Sequence, residues 1–274
     1  MGALFGSAAA IFIGMSELFG RRVVAHTSAV TASVVLSFFG SVIATIAAIF
    51  IGGSWVTSDM VFGMLSGIGM AAGIGFYFVG LDRSSSTVVA PTSATVTAVL
   101  PYIYALFRGE EASPLAIIGA AIAFVGLTAI ATGTFELTKL RQGLLWGGLS
   151  GLGYGGSLAM FIEVGEDSGA WAAVAQRSTS LAVVVVAALV LGAPLVPPAG
   201  TRRDAVASGS FGGMTSIFLL FGLRSDAPAT IVTSSMFPLV SVIVGFLVFH
   251  DEVRRRQAVG VALALLGIGL VVST

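Results

Sequence analysis

Sliding the chain against itself by 141 residues brings its two halves into register without a gap, from Met1 opposite Gln142 to Gly133 opposite Thr274. Arg83 and Ser84 then meet Arg224 and Ser225, Thr92 and Ser93 meet Thr233 and Ser234, and Glu110-Glu111 meets Asp251-Glu252. Gly119 and Gly126 meet Gly260 and Gly267. Apolar sequence of low complexity produces chance identities, but charged loop residues and helix ends falling into one register mark a duplication. The expected domains are therefore two similar halves, residues 1–133 and 142–274, joined by residues 134–141.

Each half is too apolar for water. Only 9% of residues are charged, against 56% hydrophobic and a mean hydropathy of +1.02, where a soluble domain has roughly a quarter of its residues charged. Apolar runs between charge or Pro clusters give ten spans, near 3–20, 28–51, 59–81, 85–107, 114–133, 142–162, 168–192, 204–223, 227–249 and 256–273. Each is close to the ~20 residues that cross ~30 Å of hydrocarbon as a helix. The runs are apolar on all sides and do not alternate, so helices are the way to satisfy this backbone in lipid. The fold class expected is all-α: a polytopic membrane protein of ten transmembrane helices. Five spans per copy is an odd number, so the second copy enters the membrane from the opposite side. The repeats are inverted, an arrangement that places a site near the midplane and permits alternating access.

Several function classes drop out. The 13 basic and 13 acidic residues cancel, leaving no basic patch to displace counterions from a nucleic acid. Cys is absent, so no disulfide framework or thiolate metal site is available, and no cofactor or metal is implied. The motifs of an intramembrane enzyme (HExxH, GxSxG, a phosphate-binding loop) are missing, so no catalytic residue is assigned. The start, Met-Gly-Ala-Leu-Phe-Gly, lacks a basic leader region and is read as retained structure. A glycine stripe, Gly143, Gly147, Gly151 and Gly155, and the pairs Gly63/Gly67 and Gly69/Gly73, read as surfaces where helices pack closely.

The segment GLLWGGLSGLGYG (Gly143 to Gly155), the Pro in SSMFPLVSVIVGFLVFHDE followed by its acidic pair, and the glycine-rich VGVALALLGIGLVV resemble the drug/metabolite transporter superfamily, in the ten-helix form built of two EamA domains. The resemblance covers essentially the whole chain. It implies a secondary transporter, an exporter or permease of a small metabolite, amino acid or drug-like molecule in the cytoplasmic membrane, working as a monomer or homodimer. A passive channel or facilitator is the alternative, and an intramembrane enzyme a more distant one. The first span, with Ser-Glu-Leu-Phe-Gly around Glu17, is similar to that of the small multidrug resistance transporters, where a lone membrane Glu binds substrate and protons in turn; this implies protons as a possible coupling ion. In one respect the chain departs from these relatives. The odd-numbered loops hold ten Lys or Arg, the even-numbered ones only Arg108 and Arg224, so the positive-inside rule puts the odd loops in the cytoplasm and both termini outside, whereas family members usually keep both termini inside.

Ionisable groups inside spans are costly and face the bundle interior. Glu17, one turn before Arg21, is either a membrane-edge carboxylate held by Arg21 or a partly desolvated site for a proton or cation. Arg177, beside Gln176 and about 12 Å or more from either interface by helical rise, is either a structural Arg holding backbone carbonyls or Glu17, or a fork for a substrate carboxylate or phosphate. Tyr154 is the counterpart of Ile13, one turn before Glu17, and either meets substrate or fills space. Pro91, Pro101 and Pro238 lie in equivalent helices, where kinks suit gating; Pro238 with Thr233 and Ser234 is a candidate pathway wall. His26 and His250 read as solvated, and Trp55 and Trp171 as interfacial anchors.

Overall fold

The computed structural model describes residues 1–84, 86–109, 114–130 and 137–240, together with Ile243, Arg255, Val259, Gly260, Ala262, Leu263, Leu266, Gly267 and Leu270. Among these residues the chain forms nine α-helices: α1 (Gly2–Val24), α2 (Ala29–Ile51), α3 (Thr57–Arg83), α4 (Ser86–Phe107), α5 (Pro114–Ile130), α6 (Leu137–Ile162), α7 (Trp171–Val190), α8 (Arg202–Ser225) and α9 (Ala227–Ser234). A 3-10 turn (Ala199–Thr201) leads into α8. The described residues from Arg255 to Leu270 are helical, in the place of a tenth helix. No strand occurs among the described residues. Five helices, α1, α2, α3, α7 and Ala199–Ser225, are long and apolar enough to cross a bilayer. Large apolar side chains project outward from them, with Phe50 86% and Val190 79% exposed, as lipid requires and water would not favour.

Local sequence explains the ends of these helices. Ser28 caps α2 by accepting from the Thr31 amide at 3.1 Å, and Asp226 caps α9 by accepting from Ala229 N at 3.0 Å. Three hydroxyls of α2 are satisfied within their own helix: Ser33 donates to Ala29 O, Ser41 to Ser37 O and Thr45 to Ser41 O, each at 2.8 Å. They therefore cost little in hydrocarbon. Boundaries differ from expectation where helical propensity carries a helix past its apolar run. α1 continues through Arg21 and Arg22, and α6 begins at Leu137, so Lys139 and Arg141 are helical rather than part of a loop. The ninth span differs most. α9 stops at Ser234, residues 235–236 turn, and helix resumes over 237–240. Pro238 accounts for this, because its ring collides with the carbonyl four residues back, at Ser234, and it has no N–H to donate. α4 runs without a break past both Pro91 and Pro101. His250 lies outside the described residues; His26 is exposed.

The inversion can be read from which loops touch. The segment between α2 and α3 is bonded to the one between α6 and α7, Ser54 N to Asp167 O at 2.8 Å and Ala170 N to Gly52 O at 3.4 Å. The end of α1 and start of α2 meet the α7–α8 connection and the start of α8 through Thr31 Oγ1 to Pro194 O (2.7 Å) and Arg22 to Asp204 (3.6 Å). Thus α2 begins where α7 ends, and the loops after α1 and after α6 stand at opposite ends. Helix pairing obeys the same exchange: α1 packs on α8 and α9 as α6 packs on α3 and α4, with α2 against α7.

The glycine stripe of α6 faces α4. A Cβ added at Gly143 would lie 2.7 Å from Val88, at Gly147 2.9 Å from Thr92, and at Gly151 2.5 Å from Val96. Gly153, on another face, would place its Cβ 2.5 Å from the backbone of Gly73 in α3. Its counterpart in the first repeat is Phe12, which stands in a ladder of rings between α1 and α8: Phe12 to Phe218 at 5.2 Å and Phe19 to Phe211 at 5.9 Å. Equivalent interfaces are thus closed by glycine in one copy and spaced by phenylalanine in the other. Gly153→Val is expected to lower the melting temperature of the detergent-solubilised protein by several degrees, an overpacking cost of roughly 1–3 kcal/mol. Gly156→Ala, with nothing within 4 Å of the added Cβ, should leave the fluorescence melt unmoved.

Candidate functional site

A central cavity, about 830 Å³ of empty space with its mouth included, lies among α1, α2, α3, α4, α6, α7, α8 and α9. Its walls follow the duplication. Ile13 and Tyr154, Ser16 and Ser157, Glu17 and Leu158, Leu36 and Arg177, Ile74 and Thr215, and Phe78 and Leu219 all line it, and each pair is related by the 141-residue offset. The cavity therefore lies on the pseudo-twofold axis. The pairing is geometric and not chemical: the first repeat supplies the carboxylate where the second has leucine, and the second supplies the guanidinium where the first has leucine.

Arg177 is 2% exposed. α7 opens at Trp171, later than the sequence suggested, so Arg177 lies about 9 Å along the axis from that end at 1.5 Å per residue. Its Nε donates to Ser216 Oγ at 2.6 Å and its Nη2 to the Gly212 carbonyl. Room for the guanidinium comes from glycine on both sides: a Cβ at Gly40 would lie 3.2 Å, and at Gly212 3.5 Å, from Nη1. Nη1 itself donates to no group among the described residues. Gln176 is off the wall and holds the arginine in place. Its Oε1 accepts from Ser216 Oγ at 2.6 Å, while its Nε2 donates to Ser66 Oγ at 2.7 Å and Ser157 Oγ at 3.1 Å. This chain of buried groups ties α7 to α3, α6 and α8, and every member is hydrogen-bonded, the condition under which a buried polar network rigidifies its surroundings.

Glu17 lines the cavity at 5% exposure, and Arg21 Nη2 donates to its Oε1 at 2.8 Å. Tyr154 lies within electrostatic reach of both Arg177 and Glu17, so the three groups share one space. Ser234 is on the wall at the break in α9, with Ser235 and Phe237 beside it. Thr233 is not brought to the cavity; its hydroxyl donates to Ala229 O at 2.7 Å, and its side chain packs on Gly6 of α1. Pro238 follows the break without lining the wall, and Pro91 and Pro101 lie within α4.

Sequence reasoning missed Ser157, Thr215, Ser216, Ser235 and Tyr77, whose hydroxyl is buried without a partner among the described residues. For Ser157 a signal existed, since it is the offset partner of Ser16. Asp59, at 5% exposure in the first turn of α3, is a further buried carboxylate. Among the described residues no cluster of three or more His, Cys, Asp or Glu could hold a metal ion.

These features define a multi-pass membrane protein of two inverted repeats enclosing a central cavity. A family model described as the EamA-like transporter family matches residues 1–132 and 141–273, and the chain belongs to that family. The two matched segments end within a residue of the halves expected from the duplication. Membership makes it a transporter of small solutes of the drug/metabolite type. One solved structure, described as "Crystal structure of protein", matches with a TM-score of 0.78 at 18% identity, over 98% of this chain and 96% of that one. That likeness is one of fold. No curated protein matches the chain.

Ser216→Ala removes the hydroxyl that joins Arg177 to Gln176 and strands a buried donor, Arg177 Nε, on one side and a buried acceptor, Gln176 Oε1, on the other. A loss of about 1–3 kcal/mol is expected, read as a lowered midpoint in thermal melts of the purified protein. Thr215→Ala, whose hydroxyl is satisfied by Phe211 O in its own helix at 3.0 Å, should lose only a fraction of that.

Proposed function

We propose that the chain is a secondary transporter that moves a small anionic or zwitterionic metabolite, such as an amino acid, across the cytoplasmic membrane by alternating access. The observation that carries this reading is Arg177: a permanently charged fork, 2% exposed, on a cavity wall, with one nitrogen, Nη1, that bonds no group among the described residues. A guanidinium in that setting suits a carboxylate or phosphate. Glu17 stands across the same cavity and suits an ammonium group or a proton. Its pairing with Arg21 keeps a cation beside the carboxylate that cargo or proton would displace. Tyr154 and Ser234 add hydrogen-bonding edges, and Gln176 acts through Arg177 as a positioning residue. Thr233 belongs to the packing of α9 on α1. The inverted repeats support alternation, since each half can adopt the other's conformation. Pro238, with Pro91 and Pro101 in the equivalent helix, supplies the places where those helices bend. Export as the direction rests on the family resemblance.

Orientation follows from charge. The described odd-numbered connections and adjoining helix ends carry Arg21, Arg22, Arg83, Lys139, Arg141, Arg202, Arg203 and Arg255, while the even ones carry Arg108 and Arg224; Arg254 and Arg256 lie outside the described residues. We place the odd end in the cytoplasm and both termini outside. One copy encloses the whole cavity, so a monomer suffices.

Proteoliposome uptake and efflux of labelled amino acids and organic acids tests the reading. Saturable flux, accelerated by a proton gradient in the wild type and insensitive to that gradient in Glu17→Gln, is expected. Arg177→Ala should weaken cargo affinity about ten- to hundredfold, the loss of hydrogen bonds to a charged group, and Arg177→Lys should recover part of it. Flux linear in concentration and indifferent to the gradient would instead mark a facilitator.

A further inference from the structure

The offset of 141 residues pairs Arg83 with Arg224, each in the last turn of the third helix of its repeat, at opposite ends of the molecule. Equivalent by sequence, they are in different states. Arg224 Nη1 donates to Gly169 O at 2.8 Å and Nη2 to Ser168 Oγ at 2.9 Å, with its guanidinium 5.5 Å from the centre of the Phe221 ring. It pins the end of α8 to the segment before α7, beside the backbone bonds that join that segment to the loop after α2. Arg83 is exposed, stacks 5.0 Å from the Trp146 ring of α6, and makes no hydrogen bond or ion pair among the described residues. Yet the groups it would need are present. Thr27 and Ser28 hold the positions of Ser168 and Gly169 before α2, so a hydroxyl and a carbonyl stand where Arg224 finds its own.

We propose that Arg224 and Arg83 are paired end latches of the transport cycle: Arg224 locks its end shut in the state seen here, and Arg83 locks the opposite end by gripping Thr27 and Ser28 in the other state, while Arg224 lets go. The proposal rests on the alternating-access reading above. Given that reading, it follows from the duplication, because exchanging the two repeats' conformations exchanges the environments of residues 141 apart. Arginine is well fitted to such a latch, since its fork holds two acceptors at once and is released onto an aromatic face without losing its charge. Two such latches bias one equilibrium in opposite senses, so removing either shifts the population towards the state it does not lock.

The chain has no cysteine, so a single cysteine at Thr215, on the cavity wall, reports which face is open. Thr215→Cys protein is labelled with a membrane-impermeant maleimide in right-side-out and inverted vesicles. Arg224→Ala should raise labelling from the Arg224 face and lower it from the Arg83 face, by about tenfold or more for the loss of two hydrogen bonds to a charged group. Arg83→Ala should do the reverse, and the double variant should return towards the wild-type ratio. Arg224→Lys, which keeps the charge without the fork, should move the ratio the same way as Arg224→Ala and guards against a folding defect, as does monodispersity in detergent. Single variants that shift the ratio in the same direction, or not at all, overturn the latches. A wild-type reporter labelled from one face only, whether or not the cargo found in the flux assay is present, overturns alternating access itself and the latches with it.

Discussion

Five crossings per repeat leave the second copy inverted with respect to the first, and this one topological constraint organises everything else in the molecule. It sets α2 antiparallel to α7 on the axis and sends α1 to pack on α8 and α9 as α6 packs on α3 and α4. It also brings the walls of the cavity from both copies in matched positions. Hydrocarbon makes the constraint binding. No backbone group can be left unpaired in lipid, so each crossing must be a closed helix and loops are confined to the two ends. Among the described residues, the only irregular backbone at depth, the turn at 235–236, faces the cavity, where irregularity is tolerated.

A symmetric frame does not make a symmetric site. Leu36 faces Arg177 and Leu158 faces Glu17 across the pseudo-twofold axis, so neither charge has a like-charged counterpart beside it. Two arginines at the positions of residues 36 and 177 would repel at close range in a poorly screened interior. The duplicated cavity holds a cation and an anion because each copy supplies one charge and a leucine at the position equivalent to the other. The packing is asymmetric too. Gly153 lets α6 approach α3 to backbone contact, whereas Phe12 at the same position props α1 off α8 with stacked rings. The two halves thus make different contacts at equivalent interfaces.

Much of this was legible in the sequence, and the misses share a cause. The duplication, the helix count per copy and the glycine stripe of α6 follow from register and period, which are one-dimensional. Glu17 and Arg177 were visible because charge in an apolar run is conspicuous. Gln176 was placed in the site by adjacency to Arg177, but one residue is a rotation of about 100° on a helix of 3.6 residues per turn, and it points instead into the serine network. Thr233 was carried along with Ser234 in the same way. Ser157 and Ser216 were invisible because a serine in a membrane helix is as often bonded to its own backbone as to a neighbour, and only the folded packing separates the two. Asp59 was hidden by its place at a span end, where its burial depends on how the loop after α6 folds over it.

The position of the break in α9 was foreshadowed by Pro238, yet its consequence follows from its hydrogen bonds. Thr97 stands at the equivalent place in α4 and keeps its N–H, and that helix runs on. In α9 the ends are closed off locally: Ser235 N bonds Ile231 O, Met236 N bonds Thr233 O, and the Ser234 and Ser235 hydroxyls both return to Ile231 O at 3.1 and 2.8 Å. A break satisfied from within its own segment can change angle without exposing a donor elsewhere. Ser234, Ser235 and Phe237 stand at that break as part of the cavity wall. The pair of helices that the duplication made equivalent thus differs in form: α4 continues past Pro91 and Pro101, whereas α9 is interrupted before Pro238, beside the cavity that Glu17 and Arg177 line.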